Sequence, residues 1–139
     1  MPRFDRNRVP EIILLSWVIE IASTTLGETG ADMFSMTFKL GYAVTIVIFL
    51  ALFGVLLTAK LWVKGYHPIL YWSVFTASAI AGTGISDFID RTLGLGYAAG
   101  ASILVLSLLA VLGLWYSKER SISVESITTA SAELYYWMA

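Results

Sequence analysis

The side chains best suited to chemistry are acids set among glycines and threonines, and they occur twice. One stretch reads Thr24-Thr25-Leu26-Gly27-Glu28-Thr29-Gly30-Ala31-Asp32, the other Gly82-Thr83-Gly84-Ile85-Ser86-Asp87-Phe88-Ile89-Asp90-Arg91-Thr92. Glycine permits a break or a close backbone approach, and a freed carbonyl beside a carboxylate forms the hard-oxygen ligand set that magnesium, calcium and manganese prefer. If a helix runs through the first stretch, Glu28 and Asp32 are four apart and share a face, so both converge on one cation. Metal ligation is assigned first to these two, with Asp87 and Asp90 presented from the second stretch. The same residues have a plainer reading as solvated turns, where Gly, Thr and Asp are common for turn geometry alone. Arg91 follows Asp87 by four, and an ion pair along one helix is the simplest role for both, which would remove Asp87 from ligand duty.

Glu20 stands within the apolar run at residues 9–26. A carboxylate there is a functional candidate by default, and a neutral acid packed between helices is the alternative. Glu11 sits at the mouth of that run, where it can cap a helix start. His67 adjoins Pro68 alone and reads as a loop residue rather than a ligand. The chain has no cysteine, so thiolate metal sites and disulfides are excluded. No nucleophile elbow, phosphate loop, zinc motif or dinucleotide fingerprint is present, and no enzymatic activity is expected. No resident cofactor can be named; a divalent cation enters only as a substrate.

The elements that must position these residues are apolar helices. Of 139 residues 58% are hydrophobic, and the mean hydropathy is +0.76. Residues 40–59, 66–86 and 93–117 carry no formal charge and are each long enough to cross about 30 Å of hydrocarbon. The run at 9–26 is read as a fourth span, since Glu20 and the residues after it fit a cleaved signal peptide poorly. The predicted fold is an all-α membrane protein of four transmembrane helices. The net charge of −1 hides a segregation: Arg3, Arg6 and Arg8 precede the first span, Lys60 and Lys64 lie between the second and third, and Lys118 and Arg120 follow the fourth. Basic flanks stay in the cytoplasm, which places both termini there and the two acidic junctions on the opposite side. So few basic residues, all explained by topology, give no footprint for nucleic acid.

The chain matches itself at an offset of 55 without a gap, through Trp17/Trp72, Gly27/Gly82, Asp32/Asp87, Thr37/Thr92 and the run Leu-Gly-Tyr-Ala at 40–43 and 95–98. Repeat 1 covers about 9–63 and repeat 2 about 64–118, two helices each, so the repeats are tandem and parallel in a single transmembrane domain. A pseudo-twofold axis along the membrane normal is expected, with both junctions on one face. In the tail, 119–139, Leu134-Tyr135-Tyr136-Trp137 echoes Ile69-Leu70-Tyr71-Trp72 as the stub of a third unit. Two copies of the chain would rebuild a four-unit assembly, so a homodimer in the lipid bilayer is expected. Trp17, Trp62, Trp72, Trp115, Tyr66 and Tyr116 read as interfacial anchors. Ser23, Ala22, Ala77, Ser78, Ala79 and Ala81 read as small faces for close helix packing.

The strings at 24–32 and 86–97, with Gly41-Tyr42, resemble the bacterial multi-spanning family defined by a repeat of unknown function, whose members are labelled uncharacterised membrane-anchored proteins. The resemblance implies a bacterial inner membrane location, and family members typically carry four such repeats. A weaker similarity is to cation exporters that move manganese or calcium with an acidic Glu-x-Gly-Asp-Lys/Arg-Thr/Ser motif in each of two repeats. Glu28-Thr29-Gly30 matches its start, Ala31 intrudes before Asp32, and Asp90-Arg91-Thr92 matches its end. These readings together predict a transporter subunit for a hard cation, using Glu28, Asp32, Asp87, Asp90 and Glu20. The alternative is a non-transporting membrane scaffold or assembly partner whose Gly/Asp junctions serve packing.

Overall fold

A computed structural model of the chain describes residues 8–63, 65–120, 122–123 and 127–139; Arg3, Arg6 and Lys64 lie outside them. The order of elements is α1 (Leu14–Asp32), a π-helical turn (Met33–Thr37), α2 (Tyr42–Trp62), α3 (Pro68–Asp87), a second π-helical turn (Phe88–Thr92), α4 (Gly96–Glu119) and α5 (Ala130–Met138). Pro68 stands at the start of α3, where its missing N–H is not needed. Thr129 caps α5 by accepting from the Ala132 amide at 3.2 Å. Arg120, in the left-handed region at φ 59°, terminates α4.

Among the described residues three helical segments are long and apolar enough to cross a membrane: Tyr42–Trp62, Pro68–Thr92 and Gly96–Glu119, with mean hydropathies of 2.5, 1.3 and 2.2. The expected fourth, α1, is not among them, because its 19 residues include Glu20, Glu28 and Asp32. It also runs six residues past the predicted end at Leu26. Gly27 and Gly30, which suggested a break, are helical and buried.

The repeat extends to backbone conformation. The two π-turns begin 55 residues apart, at Met33 and Phe88. In each, the wide ring is closed by an amide reaching five residues back, Phe38 N–H to Met33 O at 2.9 Å and Leu93 N–H to Phe88 O at 3.0 Å. Positive φ recurs at equivalent positions after each turn, at Lys39 (55°) and Gly94 (67°), then at Gly41 (80°) and Gly96 (79°).

Packing is unequal along the chain. α3 is the central helix, flanked by α1 and α2. α1 runs alongside it in the same direction: Val9 clusters with Tyr71 at one end, Gly27 meets Ala79, and Ala31 clusters with Ile80 and Ala81 at the other. A Cβ at Gly27 would overlap the Ala79 methyl, and one at Gly30 would stand 3.2 Å from Ile80 Cδ1. Gly84 similarly admits Ile46 of α2, at 3.1 Å from a Cβ built there. These glycines are what allow the helices to approach. α4 touches the bundle only near its ends, where Gly100 and Trp115 are buried, and its middle is exposed.

The predicted twofold does not hold. It would require Gly82 to meet Thr24 as Gly27 meets Ala79, yet Gly82 is exposed with nothing within 4 Å of a Cβ built there. α1 buries Ser23, Gly27, Gly30 and Ala31, whereas α3 buries a differently phased set that includes Ala77, Ile80, Ala81 and Gly84.

Candidate functional site

The two π-turns place the acids at one end of the bundle. Glu28 and Asp32 lie on one uninterrupted helix, so the shared face holds; Glu28 is exposed and Asp32 partly buried. Asp87 is the last α-helical residue before the second turn, as Asp32 is before the first. Its side chain is 18% exposed and pairs with Arg91 at 3.9 Å, the i,i+4 ion pair predicted. Arg91 also donates to the Tyr42 hydroxyl at 3.0 Å, tying the second turn to the start of α2. α1 and α3 run side by side in the same direction, with Ala31 packed beside Ile80 and Ala81, so the junctions that follow them lie at one end of the bundle.

Asp90 differs from the rest. Its Oδ1 is buried and has no hydrogen-bond partner among the described residues. That oxygen rests against Gly100 at the place a Cβ would occupy, and Gly100 is buried beneath it. The equivalent residue in repeat 1 is Ser35, also buried, whose hydroxyl donates to the Ala31 carbonyl at 2.6 Å. Ser35 satisfies itself within its own turn, and Asp90 has no such donor. Among the described residues no three His, Asp or Glu side chains are close enough to hold a metal ion.

Glu20 does not join the junction acids. It lies toward the other end, where its charge reaches Tyr136 of α5. Burial raises the Tyr136 phenol above the ordinary tyrosine value, the hydrogen bond with Tyr71 offsets part of the rise, and the Glu20 and Glu133 carboxylates add to it. The Tyr71 and Tyr136 hydroxyls are 2.6 Å apart. A groove of about 530 Å³ between α2 and α3 is lined by apolar side chains with Ser73 and Thr76, and none of the acids reaches it.

The opposite end holds a charged cluster that sequence reasoning missed. Glu133 of α5 bonds Arg8 through Oε2 and Lys60 through Oε1, each at 2.7 Å, with the Lys60 and Glu133 side chains fully buried. Arg8 also donates to the Leu61 carbonyl at 3.1 Å. Around the triad, Val9, Tyr71, Trp115 and Ile127 form a core joined by Trp72, Tyr136 and Trp137. Trp115 is therefore a core residue rather than the interfacial anchor expected, with Trp72 partly buried against the same cluster, whereas Trp17 and Trp62 are exposed. Arg8 and Lys60 looked like topology markers, and Glu133 stands 125 and 73 residues from them, so no local pattern links the three.

A helical chain with three segments suited to a bilayer, and a doubled turn bearing acids at one end, defines a tandem-repeat protein of membrane type. The sequence pattern of the family described as Repeat of Unknown Function (DUF347) matches residues 16–66 and 70–121, and the chain belongs to that family. The two matches correspond to α1–α2 and α3–α4. No curated protein and no solved structure matches the chain.

Proposed function

We propose that this chain is a membrane transport subunit, not an enzyme, which passes a hard divalent cation of the manganese type. In this reading α1 completes a set of four crossing helices, the triad end faces the cytoplasm of a bacterial inner membrane, and the cation enters at the acidic end. The observation that carries it is the buried Asp90 Oδ1 without a donor. A carboxylate oxygen removed from water and left unpaired is costly, and a partly dehydrated cation is one partner that removes the cost. Glu28 and Asp32 add negative charge at the same end, which raises the local cation concentration, while Asp87 is paired with Arg91. Glu20 serves as a second station farther along α1.

The test is ion flux in proteoliposomes for manganese, magnesium and calcium, comparing wild type with Asp90→Asn, Asp32→Asn and Glu28→Gln. A loss of roughly tenfold or more is expected for Asp90→Asn and a smaller loss for the other two, in line with the range of electrostatic steering. Folded, reconstituted wild-type protein that passes none of these ions would end the cation reading. The scaffold alternative has one observation in its favour: Gly27, a repeated junction glycine, is buried against Ala79 and serves packing. Absence of flux in the folded wild type would favour it, whereas unchanged flux in Asp90→Asn would remove Asp90 from the cation's path.

A further inference from the structure

The interface between the two repeats has a direction. α1 contributes a stripe of small residues at four-residue spacing, Ser23, Gly27 and Ala31, all buried. α3 receives it on another face, with Ala79 over Gly27 and Ile80 against Gly30. Shifted by 55 positions, the donating stripe recurs on α3 as Ser78, Gly82 and Ser86, and the receiving face recurs on α1 as Thr24 and Thr25 with Leu26. Within the chain Gly82 and the recurrence on α1 are open, while Ser78 and Ser86 on either side of Gly82 are half-buried. Gly82 has nothing near it, and Thr24, Thr25 and Leu26 are exposed.

The open faces are suited to each other. The Thr24 and Thr25 hydroxyls already donate to the Glu20 and Ile21 carbonyls of their own helix, at 2.8 and 2.9 Å, so burying them leaves no donor stranded. Gly82 can admit the Thr24 side chain as Gly27 admits Ala79. The internal pairing of small Gly30 with large Ile80 becomes large Ile85 with smaller Thr25, so one bulky side chain still meets one compact one. α5 does not block the approach, since it contacts α3 at the level of Tyr71, more than two turns from Gly82.

We infer that the two open faces are filled by a second copy of this chain: α3 of one copy receives α1 of the other, with Gly82 against Thr24 and Ile85 against Thr25, in the register of the internal interface. Made twice in a pair, this contact joins four repeat units through one kind of interface. The inference stands apart from the cation reading, because no acid takes part in it.

The absence of cysteine from the chain makes the test direct. Full-length chains carrying Thr24→Cys and Gly82→Cys, each with its own tag, are co-expressed and oxidised in native membranes. A disulfide joining the two tags is expected, with each variant expressed alone giving at most about a tenth as much, as cysteines held apart cannot meet disulfide geometry. No cross-tag product, or as much product from Thr24→Cys alone, overturns the proposal. As a second measurement, detergent-solubilised wild type is expected at twice the mass of the chain. Gly82→Leu, whose side chain enters open space in the single chain, is expected at the mass of one chain with unchanged helicity. A Gly82→Leu variant that keeps the double mass overturns it equally.

Discussion

At equivalent places in the two repeats, Gly27 is buried under Ala79 while Gly82 is exposed with nothing near it. Ser35 is satisfied by the Ala31 carbonyl, and Asp90 has a buried oxygen with no donor. Lys39 takes the left-handed conformation that Gly94 takes 55 residues later. Lys60 is buried by an ion triad, and its equivalent, Trp115, by an aromatic cluster. The backbone is the same in both repeats and the surroundings are not. Equivalent positions of the two repeats meet different neighbours, α3 being packed between α1 and α2 while α4 is held near its ends, so the surroundings decide which side chains a shared conformation must accommodate.

The largest effect expected from this comparison concerns Lys60 and Trp115. Glu133→Gln leaves Arg8 and Lys60 buried without their counter-charge, and a loss of about 3–5 kcal/mol is expected in denaturant unfolding from micelles. Trp115 needs no such partner, so conservative Trp115→Phe should cost clearly less. If the two changes cost the same, the triad is not what makes burial of Lys60 tolerable. A second contrast sets Gly27→Ala against Gly82→Ala. The first forces a methyl onto Ala79 and should destabilise by about 1–3 kcal/mol. In the single chain the second places a methyl in open space and should be neutral or gain up to about 1 kcal/mol from helix propensity. In the pair inferred above that methyl would meet Thr24 of the second copy, so a loss in a thermal-shift series is expected under pairing conditions and neutrality once the copies are separated. The smallest expected change is Lys39→Gly, which removes a left-handed non-glycine strain of about 1–2 kcal/mol while adding about 0.4–1 kcal/mol of unfolded-chain entropy. A net gain between about 0 and 1.6 kcal/mol is expected from those two figures, and the reverse change, Gly94→Lys, should lose a similar amount. A loss on Lys39→Gly would show that the lysine side chain has a role that the glycine of repeat 2 does not need.

Much of this architecture was legible in the sequence. The repeat offset, the apolar runs that became α2, α3 and α4, the Asp87–Arg91 pair and the gathering of both junctions at one end follow from charge, hydropathy and register. Three features were not legible, each for a physical reason. The extent of α1 was hidden because Gly27 and Gly30 weaken an isolated helix yet permit close approach in a packed one. The triad was hidden because its members are distant in sequence and each had a sufficient explanation alone. The loss of twofold symmetry was hidden because identical residues at Gly27 and Gly82 suggested identical neighbours, whereas α1 and α3 meet through differently phased faces. For the candidate site, residue types showed which acids stood at the junctions; packing in the folded chain separates Asp90 from its neighbours and removes Glu20 from the group.

The paired π-turns also date events in the history of the chain. Each carries its wide ring at the same position, and the two repeats align through it without a gap. A turn gained after duplication would appear in one copy and throw the register by a residue. The ancestral two-helix hairpin therefore already possessed the turn when it was copied, and Asp32 and Asp87 descend from one acid that stood at its entrance. The divergence of Ser35 from Asp90 came later, on a scaffold whose geometry was already settled.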